Sequence, residues 1–336
     1  MQCAATVRRP RNMSMPDARP PQPRESSVPL QPLIAVVGPT AVGKSALALG
    51  LAARVPGEIV SADSRLLYRG LDIGTAKPTR EERSAVPHHL VDVTELDRPW
   101  SLAEYKEEAL QAIAGIHARG HVPLLVGGTG QYVRALLEGW VIPRTTPDPA
   151  LRAELAARAE REGALALHRE LQVRDPQAAA SIDPRNVRRV MRALEVIYLT
   201  GHPFSAQRTR RRMGFRTLCL GLAMPREELY ARADARIETM LAAGWVEEVR
   251  TLLERGFSPD LPAFSALGYR EIARHVQGQL SLEECRTEIR RATRRLVRHQ
   301  ANWFRASDPQ VVWMEAGPQA LETATGHAKR FLAMPR

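Results

Sequence analysis

The feature of this sequence that most constrains its fold is the octapeptide Gly38-Pro39-Thr40-Ala41-Val42-Gly43-Lys44-Ser45, which matches GxxxxGK[ST] at every fixed position. An apolar, strand-like run over 33–37 precedes it, and a segment with helical spacing over 46–55 follows it. Between a strand and a helix this pattern forms a P-loop, whose glycines let backbone N–H groups converge on phosphate oxygens at the helix N-terminus. The sequence therefore predicts that residues 38–45 bind a diphosphate or a triphosphate.

Two side chains of this loop carry chemistry of their own. Lys44 supplies a mobile positive charge, and Ser45 supplies a hydroxyl of the kind that usually binds Mg²⁺ in such loops. We therefore expect Mg²⁺ as the cofactor, with Ser45 as its protein ligand. The pattern is compatible with ATP and with any other molecule that carries a diphosphate or a triphosphate.

Strand-like runs alternate with helical segments along the rest of the chain. The further runs cover 58–61, 89–93, 123–126, 217–224 and 311–314, and the long helical segments cover 101–119, 148–174, 186–199, 225–255 and 281–305. Ser101 and Glu104 form a capping box at the start of the first long helix. This alternation predicts an α/β fold, a P-loop NTPase-like and mostly parallel sheet flanked by helices on both faces.

The spacing of these runs predicts the domain organisation. The interval between the fourth and fifth strands is far too long for one crossover and is helical in pattern, which predicts a helical insertion domain over 145–212. Residues 32–144 and 213–336 then form the P-loop α/β core with C-terminal helices. Residues 1–31 are rich in proline and arginine and have no apolar core, so we expect a disordered N-terminal extension.

Positive charge is concentrated in two zones. Residues 185–216 hold nine arginines and one glutamate, and residues 286–305 hold seven arginines and one glutamate, within a net charge of +11. Such zones favour a polyanionic partner, nucleic acid first, although solvated helix faces would give the same counts. In the second zone Arg290, Arg294 and Arg298 recur at helical spacing, which predicts a phosphate-binding face on that helix.

Several classes of protein are disfavoured by the composition. No apolar run approaches the length of a membrane span, and the first thirty residues have no signal-peptide core. The three cysteines are scattered without a CxxC pair, which argues against a disulfide framework or a zinc site. We therefore expect a cytoplasmic protein with no membrane partner. A monomer is also expected, although these observations do not determine the oligomeric state.

Two candidate site residues follow strands that end at the P-loop edge of the predicted sheet. Asp63 ends the second strand, where a carboxylate can ligate a metal, orient a substrate, act as a general base or cap a helix. Thr129 lies in a glycine-rich turn, 127–130, after the fourth strand. Those glycines allow close approach of a ligand, but a plain strand-to-helix turn would also use them.

Several segments occur in the order seen in tRNA dimethylallyltransferases, and the chain resembles that family over about 32–315. These are Gly38 to Ser45, Asp63-Ser64-Arg65-Leu66-Leu67-Tyr68, Asp72-Ile73-Gly74-Thr75-Ala76-Lys77-Pro78, Pro87-His88-His89-Leu90-Val91-Asp92, Gly127-Gly128-Thr129-Gly130-Gln131-Tyr132, Arg192-Ala193-Leu194-Glu195-Val196, Ala266-Leu267-Gly268-Tyr269-Arg270-Glu271 and Thr293-Arg294 through Trp303-Phe304-Arg305. The resemblance implies transfer of a dimethylallyl group from dimethylallyl diphosphate to the exocyclic N6 amine of an adenosine, with release of diphosphate. That adenosine is the one immediately 3′ of the anticodon in tRNAs that read codons beginning with U.

The resemblance also implies roles for individual residues. Residues 38–45 would hold the diphosphate, Asp63 would be the general base, and Thr129 would lie in the reaction channel. The residues that would contact the tRNA anticodon stem-loop are Asp63, Ser64, Arg65 and Leu66; Arg152; Arg188, Arg189, Val190, Met191 and Arg192; and Ser265, Ala266, Leu267, Gly268, Tyr269 and Arg270.

The chain departs from the family pattern at a few positions. Leu66 replaces a glutamine that many members carry, Gln131 replaces a common leucine, and Leu296 with His299 alters the basic C-terminal helix. These departures bear on contacts with tRNA rather than on the chemistry.

Other interpretations stay open from the residues alone. Arg232 and Arg236, four apart on one predicted helix, would add a diphosphate clamp or be solvated surface arginines. A P-loop small-molecule or nucleoside kinase shares the loop, Lys44 and Mg²⁺, with Asp63 activating a hydroxyl. A non-catalytic RNA-binding module is a third class, but it leaves Asp63 and Thr129 unexplained.

Overall fold

The computed structural model describes residues 30–143, 146, 148–207, 209–211 and 213–334. The predicted disordered extension, 1–31, lies outside these residues except for its last two. Of those two, Gln31 is already the first residue of a strand.

Within the described residues, six strands form one sheet: β1 (Gln31–Val37), β2 (Gly57–Ser61), β3 (His88–His89), β4 (Val122–Val126), β5 (Phe215–Ala223) and β6 (Val311–Glu315). The helices between β1 and the predicted insertion are α1 (Lys44–Arg54), α2 (Arg80–Ala85), α3 (Leu102–Ala118) and α4 (Gly130–Leu137). Those within the predicted insertion are α5 (Pro149–Glu162), α6 (Ala164–Arg174), α7 (Pro176–Ser181), α8 (Val187–Thr200) and α9 (Phe204–Gln207). The remaining helices are α10 (Arg226–Ala242), α11 (Trp245–Glu254), α12 (Tyr269–Val276), α13 (Leu282–Ala301) and α14 (Ala320–Ala333).

The sheet is parallel throughout, with strand order β3-β2-β4-β1-β5-β6. The central strand β1 is buried without interruption over 33–37, as expected for a strand with both faces covered. Its side chains divide between two hydrophobic clusters, one shared with α1 and α14 and the other with α3 and α4. The predicted α/β fold, with a parallel sheet flanked by helices, is confirmed.

The third strand is shorter than the sequence predicts. Only His88 and His89 pair with β2, although the apolar run extends to residue 93. Leu90 and Asp92 have φ angles of 61° and 57°, in the left-handed region that ends an extended strand. Asp92 N–H and Val93 N–H then donate to the carbonyls of Leu66 and Leu67 at 3.0 and 2.8 Å, so this segment closes against the 66–67 turn.

Two of the predicted long helices are each divided by a glycine. Gly163, with φ of 83°, separates α5 from α6, and Gly244, with φ of 97°, separates α10 from α11. Positive φ is accessible to glycine at little cost, which explains why the breaks fall at these residues. Helical periodicity continues across both breaks and therefore did not predict them.

Helices α5 to α8 pack around a hydrophobic cluster of their own, which includes Leu155, Leu171 and Leu194. The two segments that connect this region to the sheet run side by side: Val141 N–H donates to Thr209 O at 2.8 Å, and Arg211 N–H donates to Gly139 O at 2.9 Å. No helix in the described part of the chain is long and apolar enough to cross a membrane.

Candidate active site and nucleic-acid interface

A cavity of about 980 Å³ opens at the carboxyl ends of β1, β2 and β4. Its lining includes the P-loop, the segment 63–66 and the turn 127–131, which directly follow those three strands. Parallel strands end at a common edge, and for this reason segments far apart in sequence meet here. Helices α10 and α13 and the segment 264–267 complete the wall.

The P-loop has the backbone conformation that anion binding needs. A Cβ at Gly38 would lie 2.7 Å from Leu222 O, and Gly43 has φ of 107°, so neither position suits another residue. Helix α1 begins at Lys44 with no side-chain cap, and its first intrahelical bond comes from Leu47 N–H. The N–H groups of the first turn therefore remain for a ligand.

Three cationic side chains converge on this loop. Lys44 Nζ donates to Pro39 O at 2.7 Å. Burial lowers the pKa of Lys44 to about 8, the charge of Asp63 opposes this shift, and Arg236 adds to it. Arg236, half-buried, has its own pKa lowered by desolvation, while the guanidinium of Arg232 reaches 3.6 Å from where a Cβ of Gly43 would lie. Neither arginine has a hydrogen bond or an ion pair within the described residues, so the site is suited to a group with several negative charges.

Asp63 has one carboxylate oxygen bonded to the backbone and one that is not bonded within the described residues. Its Oδ1 accepts a hydrogen bond from Arg65 N–H at 2.9 Å, which forms a local turn like a helix cap. Its Oδ2 has no hydrogen-bond partner in the part of the chain that the structure describes, and the residue lines the cavity beside the P-loop. One carboxylate oxygen thus fixes the side chain while the other remains able to accept a proton from a ligand.

Thr129 is held against the segment that follows β2. Its Oγ1 accepts from Ser64 N–H at 3.0 Å, and its own N–H donates to Ala62 O at 3.1 Å. A Cβ at Gly127 would lie 2.2 Å from Ala62 O, and one at Gly130 would lie 2.2 Å from the ring of Trp303. At these two positions, therefore, glycine is needed for packing within the protein and not for approach of a ligand.

One residue of the site was not predicted from the sequence. Gln300, at the end of α13, accepts a hydrogen bond from Thr40 N–H and donates one to Gly128 O. It follows no strand and belongs to no phosphate-binding pattern, and its only signal in the sequence is its place in the segment 293–305 that resembles the family.

The predicted tRNA-contacting segment of the insertion, 188–192, divides into exposed and buried residues. Arg188 and Arg189 are exposed and have no ion pair within the described residues, whereas Val190 is fully buried in the core of α5 to α8. The side chain of Val190 is therefore not accessible to a partner, and RNA contact by this segment stays a prediction. Met191 is half-buried and packs against the same core.

Two further arginines predicted to contact tRNA share one carboxylate. Arg152 Nε lies 2.7 Å from Glu195 Oε1, and Arg192 Nη1 lies 2.7 Å from Glu195 Oε2. Glu195 is only 1% exposed, so these two guanidinium groups are fixed in position with part of their charge already compensated.

The segment 265–270 also contains both exposed and buried residues. Ser265 and Arg270 are exposed, while the side chains of Ala266 and Tyr269 are buried, although Ala266 also lines the cavity. Gly268 is buried as well, and a Cβ at this position would lie 2.1 Å from the Trp245 ring. RNA contact by this segment stays a prediction. The exposed Ser265 and the half-buried Leu267 line the same cavity as Ser64, Arg65 and Leu66.

The predicted phosphate-binding face of α13 is turned towards α10. Arg290 forms an ion pair with Glu238 at 2.8 Å, and Arg294 forms one with Asp234 at 2.7 Å. Arg298 approaches the hydroxyl of Tyr230 at 3.5 Å. Arg290 and Arg294 therefore have acidic partners on α10, which the prediction of a free face for RNA did not include, whereas Arg298 is exposed and has no ion pair within the described residues.

Comparison with known proteins identifies close relatives. The model of a family described as IPP transferase matches residues 66–307. The chain is 54% identical to the tRNA dimethylallyltransferase of Thermomicrobium roseum over 285 residues, which cover 85% of this chain and 86% of that relative. It is 52% identical to the tRNA dimethylallyltransferase of Chloroflexus aurantiacus over 289 residues, which cover 86% of this chain and 98% of the relative.

Solved structures agree with this result. The tRNA isopentenylpyrophosphate transferase of Bacillus halodurans superposes with a TM-score of 0.67 at 38% identity, covering 90% of this chain and 97% of that chain. A eukaryotic dimethylallyltransferase acting on tRNA superposes with a TM-score of 0.72 at 26% identity, covering 90% of this chain and 78% of that chain.

Proposed function

The chain belongs to the IPP transferase family, and from this we propose that it transfers a dimethylallyl group from dimethylallyl diphosphate to the N6 amine of the adenosine immediately 3′ of the anticodon in tRNA. The observation that carries the proposal is that Asp63, with one free carboxylate oxygen, lines the same cavity as the cation-rich P-loop. A candidate base for the amine and a binding site for the leaving group therefore share one cavity.

The P-loop side of the cavity is suited to the leaving group. When the bond between C1 of the allylic group and the bridging oxygen breaks, negative charge grows on that oxygen. The N–H groups at the start of α1, with Lys44, Arg232 and Arg236, would stabilise this charge. Such fixed dipoles and charges act strongly in a site that excludes water, because they need no reorganisation during the reaction.

The Asp63 side of the cavity is suited to the nucleophile. The exocyclic amine of adenine is a weak nucleophile because its lone pair is delocalised into the ring. As the new N–C bond forms, the nitrogen loses a proton, and Asp63 Oδ2 would accept it. The products are the prenylated base, diphosphate and a protonated carboxylic acid that returns its proton to solvent.

Mg²⁺ is proposed as the cofactor, and the donor set fits that ion. Mg²⁺ usually takes one or two protein oxygens and completes its octahedral shell with phosphate oxygens and water. The hydroxyl of Ser45, exposed at the N-terminus of α1, would hold the ion against the diphosphate. When bound, the ion neutralises charge on the leaving group.

The exposed basic residues are suited to the RNA. An enzyme that modifies a base takes that base out of its stack, and an unpaired anticodon loop makes this step inexpensive. Arg188 and Arg189 on α8, and Ser265 and Arg270 beside the cavity, are the accessible members of the predicted contact segments. The kinase alternative is not favoured, since the relatives are tRNA dimethylallyltransferases.

The proposal is tested by incubating the protein with Mg²⁺, dimethylallyl diphosphate and an unmodified anticodon stem-loop. We expect the mass of one dimethylallyl group to be added to the adenosine 3′ of the anticodon. A stem-loop with guanosine at that position is the matched control and should gain nothing. ATP turnover without prenyl transfer would favour a kinase instead.

The role of Asp63 is tested with Asp63→Asn, which keeps the size and the acceptor for Arg65 N–H but removes the base. We expect kcat to fall by at least about 100-fold, in the range of general-base catalysis, while the Kd for the stem-loop stays near that of the wild type. A loss of RNA affinity with unchanged kcat would instead assign Asp63 to recognition.

A further inference from the structure

Gln300 joins two loops that are otherwise separate walls of the cavity. Its Oε1 accepts from Thr40 N–H of the P-loop at 2.8 Å, and its Nε2 donates to Gly128 O of the 127–130 turn at 3.0 Å. The residue is 9% exposed; its bond to Gly128 O is buried, and the bond from Thr40 N–H is partly buried. An amide is the side chain that offers one acceptor and one donor in this spacing.

The surroundings leave this side chain little freedom. A Cβ at Gly128 would lie 2.4 Å from Gln300 Nε2 and 3.7 Å from Lys44 Nζ, so the absence of a side chain at Gly128 makes the close approach possible. Trp303, one turn further on, covers Gly130, and its carbonyl accepts two hydrogen bonds from Arg134 at 2.6 and 3.1 Å. The end of α13 is therefore anchored to the same turn that Gln300 contacts.

The two loops carry different parts of the reaction. The P-loop would hold the diphosphate, and the 127–130 turn holds Thr129, which in turn binds Ser64 beside Asp63. Thr40 N–H is bonded to Gln300, whereas the N–H groups of Lys44, Ser45 and Ala46 have no hydrogen-bond partner within the described residues and would be available for phosphate. The link to Gln300 therefore does not compete with the N–H groups at the start of α1.

We propose that Gln300 is a positioning residue for prenyl transfer, whose amide fixes the distance between the diphosphate loop and the Thr129 turn. This inference rests on the proposed function. It assigns to α13, a helix of the C-terminal region, a part in aligning the leaving group with the adenosine and the base. Misalignment of reacting groups by about 1 Å can slow a reaction by about 100-fold, so a link of this kind affects kcat more than binding.

The first test needs no substrate. Gln300→Met keeps the length and volume of the side chain and removes both hydrogen bonds, so it separates the link from packing. We expect faster amide hydrogen exchange in the peptides that cover 38–43 and 127–130. Thr325→Val is the matched control, because it removes a buried hydroxyl that bonds to Leu321 O, on α14 against the far end of α1. Unchanged exchange in both loops of Gln300→Met would overturn the inference, whether or not the protein transfers a prenyl group.

The second test is kinetic. We expect Gln300→Met to lower kcat for prenyl transfer by about 10- to 100-fold, with the KM for dimethylallyl diphosphate and the Kd for RNA close to wild type. Gln300→Glu should in addition raise that KM, because a carboxylate would lie beside Lys44 and repel the diphosphate.

The outcomes of the kinetic test separate the two proposals. A wild-type protein that transfers nothing would contradict the proposed function. In that case hydrogen exchange would still test whether Gln300 holds the two loops together. An active wild type with an equally active Gln300→Met variant would contradict only the role of Gln300.

Discussion

Lys44 lies in an environment that disfavours its protonated, charged form. Burial and the nearby Arg236 lower its pKa to about 8, and Asp63 only partly restores it. A lysine with this pKa is still mostly protonated at neutral pH, so it can attract a diphosphate. The bound diphosphate adds negative charge and raises the pKa of Lys44 again, which couples binding of the ligand to protonation of the lysine.

This coupling predicts the pH dependence of the reaction. Since Lys44 is charged below about pH 8 and neutral above it, kcat/KM for dimethylallyl diphosphate should fall as the pH rises through 8, by up to about tenfold per unit. The kcat should not follow, because the bound diphosphate keeps Lys44 protonated. Steady-state kinetics between pH 6.5 and about 9.5 measure both quantities. Lys44→Arg should be slower, and its kcat/KM should not fall as the pH rises through 8. A decrease of kcat/KM that persists in Lys44→Arg would belong to another titrating group.

The cavity residues that the strand pattern predicts are those that directly follow strands. The P-loop, Asp63 and Thr129 come together because β1, β2 and β4 are parallel and end at one edge. Gln300 lies 260 residues from Thr40 on a helix, and no local pattern shows which loop a helix end will meet. The same limitation applies to α13, where helical spacing predicted a common face for Arg290 and Arg294 but could not show their acidic partners on α10.

Helices α8 and α13 are both rich in arginine, and two arginines on each helix differ in whether they already have a carboxylate partner. On α8, Arg188 and Arg189 point away from the core of the insertion and have no ion pair within the described residues. On α13, Arg290 and Arg294 are bound to Glu238 and Asp234 of α10. An arginine that already has a carboxylate partner gains less from a phosphate, because it must first give up that partner.

This difference predicts separate effects on RNA binding. Replacing Arg188 and Arg189 with alanine should weaken binding of the anticodon stem-loop and reduce the salt dependence of its Kd by about 0.7–0.9 for each phosphate that is no longer bound. Replacing Arg290 and Arg294 with alanine is the matched control and should change that slope less while lowering the melting temperature. Fluorescence anisotropy at several KCl concentrations measures the slope. Equal slopes for the two double variants would contradict the distinction between these helices.

At the scale of the whole molecule, the sheet carries a second cluster of charged residues at the edge opposite the cavity. Glu58, near the start of β2 and 2% exposed, binds Arg119 through two hydrogen bonds of 2.7 and 2.8 Å. His89 and His121 contact the same carboxylate at 2.7 and 2.8 Å. These bonds join β2, β3 and the connection between α3 and β4, so they stabilise the half of the sheet that presents Asp63.

The cluster predicts how stability depends on acid. The Arg119 hydrogen bonds, with those of the two histidines, lower the pKa of Glu58 from 4.5 to about 2 despite its burial. A carboxylate with a lowered pKa stabilises the fold above its unfolded pKa, and that stability is lost as the pH falls towards 2. Glu58→Gln should therefore cost on the order of 3 kcal/mol at neutral pH, with a difference that shrinks between pH 4.5 and 2.

Urea unfolding of both proteins across this pH range measures the difference. Glu322→Gln, which breaks an exposed ion pair with Arg54, is the matched control and should cost less than about 1 kcal/mol. A difference between wild type and Glu58→Gln that stays constant down to pH 2 would show that Glu58 acts through packing rather than charge.

The side-by-side connections at 139–141 and 209–211 would allow the segment between them to be exchanged by recombination of the gene. A segment whose two ends are neighbours can be exchanged in frame without altering the order or direction of any strand around it. Recombination at these two junctions would replace the sequence that carries Arg188 and Arg189 and leave every residue of the P-loop in register. Such an exchange would alter the arginines proposed to contact RNA on α8 and would leave the cavity residues that follow β1, β2 and β4 unchanged.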